Sequence, residues 1–217
     1  GQMYLPFLGL DLKKVQEDIS EEMKGFTIPA QIAYLYFLYH KEEVVNTTDF
    51  GKKLGFNKMT ASRALNELYR ANLITYEIGG MTGRSKEYKR ISDPDYFLRG
   101  RDYLKNPVRK IIYTTTRPAG ALVAGMDALA ELSMINPPDH PIMAIDRQKL
   151  TTEQIDVVKN RDLIKDAKLV ELELWDYNPI LFSINGHVDL LSLYASLKEE
   201  TDERVEQAFE EILRVEP

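Results

Sequence analysis

Between Thr27 and Ala71 apolar positions recur at helical spacing in three successive runs, and from Leu73 to Ile91 two short β-prone runs flank a set of turn residues. The first run, Thr27 to His40, has a Thr cap, a proline tolerated in the first turn, and Ile32, Leu35, Tyr36 and Tyr39 as its core positions. Thr47-Thr48-Asp49 opens a second, short helix with Phe50 and Leu54 four apart on one face and Gly55 as its stop. Asn57 caps a third helix, Lys58 to Ala71. Placed at about 100° per residue, Ala61, Ala64, Leu65 and Leu68 of that helix fall in one narrow sector. Met59, Arg63, Asn66 and Arg70 fall opposite, flanked by Thr60 and Ser62. Small residues near the start of the buried side allow a close approach to the preceding helix, while the outer side carries groups that match base edges and phosphates. Leu73 to Ile78 and Lys86 to Ile91 then predict two strands, and Gly79 to Ser85 a hairpin turn.

Further along, the pattern predicts an α+β chain with a second, α/β domain built on a small mixed sheet. Asp11 to Lys24, stopped at Gly25, is a helix leading into the first domain, and Asp95 to Leu104 is a helix joining the two domains. Val108 to Thr115 reads as a strand, Gly120 to Ile135 as a buried helix, and Pro141 to Ile145 as a short buried strand. Leu169 to Trp175 alternates Val170, Leu172 and Leu174 with Glu171 and Glu173, so one of its faces is expected to be wet. Ile180 to Ile184 is expected as its partner strand, followed by the Asn185-Gly186 turn. Two helices close the chain, Asp189 to Lys198 and Asp202 to Val215. Thr201 is the cap candidate of the last, and Val205, Ala208, Phe209, Ile212 and Leu213 form its buried stripe. The domain reading is residues 1–24 as a lead segment, 25–95 as a helical domain with a hairpin, and 96–217 as an α/β regulatory or partner-binding domain. With 217 residues, two domains are expected, since single cores usually stop growing at roughly 100 to 200 residues. Gly1 in place of a methionine suggests a cleaved tag on a fragment, which leaves room for a missing amino-terminal domain.

Charge sharpens this picture. The net charge of −6 taken alone argues against a nucleic-acid binder, but residues 41–110 hold fifteen Lys/Arg against nine Asp/Glu, while residues 111–217 hold ten against twenty. A local +6 over the helices and hairpin, with −10 behind it, is what a phosphate-binding module joined to a non-binding domain should show. The hairpin carries Arg84, Lys86 and Lys89 with Arg90 against Glu87, so it can lie along a phosphate backbone or put Arg84 into a minor groove.

The order of three helices then a basic hairpin is that of a winged helix. The run TTDFGKKLGFNKMTASRALNELYRANLITYE followed by GRSKEYKRI resembles the DNA-binding region of MarR-type winged-helix regulators. That resemblance implies a third helix entering the major groove, with Asn57, Lys58, Thr60, Ser62 and Arg63 at the DNA and Arg84 in the wing. The family's long dimerisation helices at both ends are not evident in the sequence. The elements NPVRKIIYTTT, GALVAGMDALAELSMIN, LELWDYNP and VDLLSLYASLKEETDERVEQAFEEIL resemble the carboxy-terminal part of winged-helix regulators related to the antitoxins of abortive-infection type IV toxin–antitoxin systems. This implies a protein that represses its own operon and counteracts a nucleotidyltransferase-like toxin. The expected DNA-binding set is Asn57, Lys58, Met59, Thr60, Ser62, Arg63, Asn66, Arg70, Arg84, Lys86 and Lys89. The expected partners are double-stranded DNA, a second copy of the chain, and a toxin on the carboxy-terminal half.

Catalysis is not expected. His40, His140 and His187 stand far apart without metal-ligand spacing, and neither a metal nor a cofactor is anticipated. Gly120 and Gly125 mimic a phosphate loop but lack the following Lys-Ser/Thr, and close helix packing accounts for them better. Ser133, Ser183 and Ser192 lack a nucleophile elbow. Trp175 and the tyrosines of the first helix are candidates for an effector pocket or for the core. The absence of cysteine suits a reducing cytoplasm, and no apolar run is long enough to cross a membrane.

Overall fold

A computed structural model describes residues 24–79, 85–92, 95–150, 156–158 and 169–215, together with the backbone of 4–5 and 10–11. The chain divides into two compact units, residues 1–37 with 41–103 and residues 38–40 with 104–217. A two-residue hairpin precedes the first unit's helices, β1 (Tyr4–Leu5) against β2 (Leu10–Asp11). Most of the helix expected from Asp11 to Lys24 lies outside the described residues, and Asp11 itself is paired as strand.

Among the described residues four helices contribute to the first unit. In α1 (Ile28–Tyr39) nearly every position from Ala30 to Leu38 is buried, so it is a central helix rather than an amphipathic one; Tyr39, expected in the core, is half exposed. Thr27 caps it, its Oγ1 accepting from Ala30 N at 3.4 Å. The strand β3 (Val45–Asn46) leads into α2 (Thr47–Leu54). Asn46, not the threonines, closes the start of that helix, because its Oδ1 accepts from both Thr48 N and Asp49 N. Gly55 ends α2 in the left-handed conformation at φ 70°. A Cβ on Gly51 would sit 2.9 Å from Phe56 O and 3.5 Å from Ala61 Cβ, so the bare glycine lets the turn and the next helix close over α2.

That next helix, α3 (Lys58–Arg70), buries Ala61, Ala64, Leu65 and Leu68 as expected. Strands β4 (Ile74–Gly79) and β5 (Ser85–Arg90) pair antiparallel, and β3 adds to β5, giving the order β3-β5-β4. The turn between β4 and β5, including Arg84, lies outside the described residues. The segment expected to join the domains holds a packed helix of the first unit, α4 (Asp95–Arg101). Tyr96 is fully buried and stacks on Tyr34 with ring centroids 5.1 Å apart, which a solvated linker would not do.

In the second unit a four-stranded sheet runs β6 (Val108–Thr114), β9 (Val170–Trp175), β8 (Ile142–Asp146), β7 (Leu122–Val123). Only β8 and β9 are parallel, so the sheet is mixed and the chain is α+β, as its pattern predicts. Four details differ from the sequence expectation. The helix expected from Gly120 is α5 (Gly125–Leu132), because Gly120 and Gly125 adopt positive φ and residues 122–123 pair with β8 instead. Glu173, expected on a wet face, is buried at 5% exposure, since β9 is interior to the sheet and Trp175 on the same face is fully covered. Residues Pro179–Phe182 form a 3-10 turn rather than a strand, with Pro179 at its first position and Asn178 Oδ1 accepting from Ile180 N. Helix α6 (Leu190–Leu197) is capped by Asp189, whereas α7 (Glu203–Val215) starts on Asp202, whose Oδ1 accepts from Arg204 N, and not on Thr201. Val205, Ala208 and Phe209 of α7 are buried. Asn185 and Gly186 both take positive φ, making the tight turn their pairing predicts.

Candidate nucleic-acid interface

Helix α3 is oriented by what it buries and by what holds its ends. Asn57 Oδ1 accepts from Thr60 N at 2.8 Å, so this residue, expected at the DNA, is committed through its oxygen to the cap. Glu67, the only acid in α3, is turned back to α1, where its two oxygens accept from Thr27 N at 2.7 Å and Thr27 Oγ1 at 2.8 Å. The outer stripe is left without negative charge. Along it stand Met59, Arg63, Asn66 and Arg70, all exposed, with Lys58 exposed beside them and Thr60 and Ser62 half-buried on the flanks. The side chains of Lys58 and Arg63 make no hydrogen bond or ion pair with another described residue. A guanidinium and an ammonium left open to solvent beside an amide can neutralise phosphates and bond to base edges.

The hairpin adds a second arm. Across the β4–β5 ladder Tyr76 faces Tyr88 and Ile78 faces Lys86. Lys86 Nζ lies 4.0 Å from the centre of the Tyr76 ring, and Tyr69 of α3 meets that same ring at 5.1 Å. A chain of Tyr69, Tyr76 and Lys86 therefore runs from α3 into the hairpin and fixes where the lysine charge stands. The sequence reading missed Tyr69 and Tyr76. Their signal was two tyrosines at half-exposed positions on either side of the turn that joins α3 to β4.

Lys89 lies on the opposite face and is spoken for. Its Nζ is 2.5 Å from Glu77 Oε1, and that bond holds the Glu77 carboxyl below its ordinary range. Any phosphate contact by Lys89 must compete with this pair. Of the eleven expected residues, then, Lys58, Met59, Arg63, Asn66 and Arg70 share one helix stripe or its edge and Lys86 stands on the adjoining hairpin. Thr60 and Ser62 flank the stripe, Asn57 caps it, Lys89 is ion-paired, and Arg84 lies outside the described residues.

Elsewhere the first unit has an open groove of about 620 Å³ lined by Lys24, Gly25, Ala71, Asn72, Arg99, Asp102 and Tyr103. Of the aromatic residues considered for an effector pocket, Trp175, Tyr34 and Tyr36 are buried in the core while Tyr39 is half exposed, and Trp175 Nε1 donates to Glu173 Oε2 at 2.8 Å. Among the described residues no group of three His, Asp or Glu side chains is placed to hold a metal ion, and no helix is long and apolar enough to cross a membrane.

No protein-family model and no curated protein sequence matches the chain. Among solved structures it is similar to one described as "Possible transcriptional regulator from Methanosarcina mazei Go1", at 14% identity and a TM-score of 0.34, over 48% of this chain and 84% of that one. A likeness at that level carries no argument about function, which rests on the residues above.

Proposed function

We propose that this chain is a DNA-binding transcriptional regulator that lays α3 in the major groove and its β4–β5 hairpin against the flanking backbone. The observation that carries this reading is the acid-free stripe Met59, Arg63, Asn66 and Arg70 on a helix locked from behind by Ala61, Ala64, Leu65 and Leu68. Its width is one helix, which is what a major groove about 12 Å wide admits. Charge segregation supports the same reading, since residues 41–110 carry +6 in a chain of net −6. A symmetric pair of chains on a two-fold operator would multiply the affinity of one such helix.

The test is binding of duplex DNA from upstream of the chain's own gene, followed by fluorescence anisotropy across a salt series. Wild-type affinity should fall linearly in log salt, by roughly 0.9 in slope for each phosphate contact. Arg63→Ala and Arg84→Ala should each weaken binding by about 1–3 kcal/mol. Wild-type binding that is absent or insensitive to salt, with both variants unchanged, would sink the reading.

A further inference from the structure

We infer that Met59 reads the 5-methyl group of a thymine in the major groove, within a site where Arg63 and Asn66 take the neighbouring base edges. This rests on the DNA-binding reading and names what that surface recognises. Met59 is the second residue of α3 and is 62% exposed, although a thioether chain of that size gains most when covered. The core has no room for it, because the buried sector of α3 lies on the far side of the helix and is filled by Ala61, Ala64, Leu65 and Leu68. Helical side chains lean toward the amino terminus, so Met59 covers the surface over the first turn of α3. A recognition helix brings that end closest to the bases.

Charge identifies what covers it. Lys58 beside it and Arg63 one turn on are both exposed, and the helix's single acid is turned away onto Thr27. An apolar tip set among unpaired cations and an amide fits a polyanion that itself presents an apolar knob. Thymine in duplex DNA supplies that combination through its methyl group, which stands in the major groove alone and which uracil lacks. The chemistry along the stripe then reads in order: Met59 on a methyl, Arg63 on the O6 and N7 acceptors of a guanine, and Asn66 on the N6 and N7 of an adenine.

The experiment starts from duplexes selected out of a randomised library by the full chain. Each thymine of the selected duplex is then replaced in turn by deoxyuridine, which deletes the methyl and leaves pairing intact. One position per half-site should weaken wild-type binding about fourfold, the effect of uncovering one methyl-sized group. Met59→Ala should lose about the same factor on the thymine duplex and be indifferent to the replacement, while Met59→Leu should keep the dependence. Wild-type binding that stays salt-sensitive but ignores every replacement overturns this assignment alone, as does a Met59→Ala protein with undiminished thymine dependence. Failure of the library to yield any bound duplex overturns the assignment together with the reading beneath it. A change in oligomeric state on Met59→Ala, with thymine dependence unaltered, assigns the methionine to a second copy of the chain and also overturns it.

Discussion

Glu173 shows how one residue in the second unit sets a pH response that its sequence position conceals. Its side chain lies on the sheet face that also carries the buried Trp175, and Oε2 accepts from Trp175 Nε1 at 2.8 Å. Gly125 comes so close that a Cβ there would sit 3.0 Å from Oε1. Burial raises the carboxyl to about 7, and the nearby Glu171 pushes in the same direction, while the indole bond opposes both. A raised carboxyl means that the folded chain holds a proton the unfolded chain has already lost. This contribution to stability is therefore fully present below the ordinary glutamate range and is lost as pH rises through about 7. Asp189, buried and likewise raised by burial, works in the same sense. Glu173→Gln keeps an acceptor for the indole and removes the titration. Denaturant melts should find the variant more stable than wild type at pH 8, by roughly 1–3 kcal/mol, with the difference vanishing near pH 4. Equal effects at both pH values would show that the gain comes from packing rather than from the proton.

At the scale of elements, the link between α3 and the hairpin is the Tyr69–Tyr76–Lys86 chain, and it is testable apart from any residue proposed to read bases. Tyr76 lies between Tyr69 at 5.1 Å and Tyr88 at 5.7 Å, with Lys86 over its face. Tyr76→Ala removes two ring contacts and the seat of the lysine, which should cost about 1–3 kcal/mol in denaturant melts. It should also make the salt slope of DNA binding shallower by about one, since Lys86 no longer stands at a fixed place. Tyr76→Phe keeps the ring and should keep both properties. An unchanged slope in the alanine variant would detach Lys86 from the interface. This chain also marks where the sequence stops being legible. Helix α3, its Asn57 cap and its buried face follow from local spacing and capping chemistry alone, and so do Gly55 and the Asn185-Gly186 turn. The fates of Lys89, Glu173 and residues 179–182 do not. A cross-strand partner, the covering of a second sheet face and a proline-started turn are each decided by residues distant along the chain or by competition between two local preferences. Alternation of Glu171 and Glu173 with leucines predicts a wet face only where nothing lies above it, and whether something does is a tertiary fact.

For the whole molecule the deciding quantity is how charge is divided between units rather than how much there is. Residues 104–217 of the second unit hold thirteen Lys/Arg against twenty Asp/Glu, a net −7, whereas residues 41–103 of the first hold twelve against nine, a net +3, and the cations proposed at DNA lie there. Repulsion from the acidic unit acts over distance and is screened within about 10 Å at 0.1 M salt, whereas contacts made at the groove are not. Long-range steering of this chain toward DNA should therefore be weak, and affinity should come from short-range neutralisation by Lys58, Arg63, Arg70, Arg84 and Lys86. If, with Arg63 assigned to a base edge, three or four of these meet phosphates, one chain should give a slope of roughly −3 to −4 in log affinity against log salt, and a symmetric pair about twice that. Sedimentation of the complex supplies the stoichiometry against which the slope is read. If the second unit acts on DNA only through its screened field, association rates should rise as salt goes from about 10 to 50 mM before falling, while dissociation should quicken throughout. Stopped-flow measurement separates the two. Association that slows monotonically from the lowest salt would mean that the acidic unit is too far from the DNA to be felt, and a slope shallower than about −1 would remove the phosphate contacts on which the interface depends.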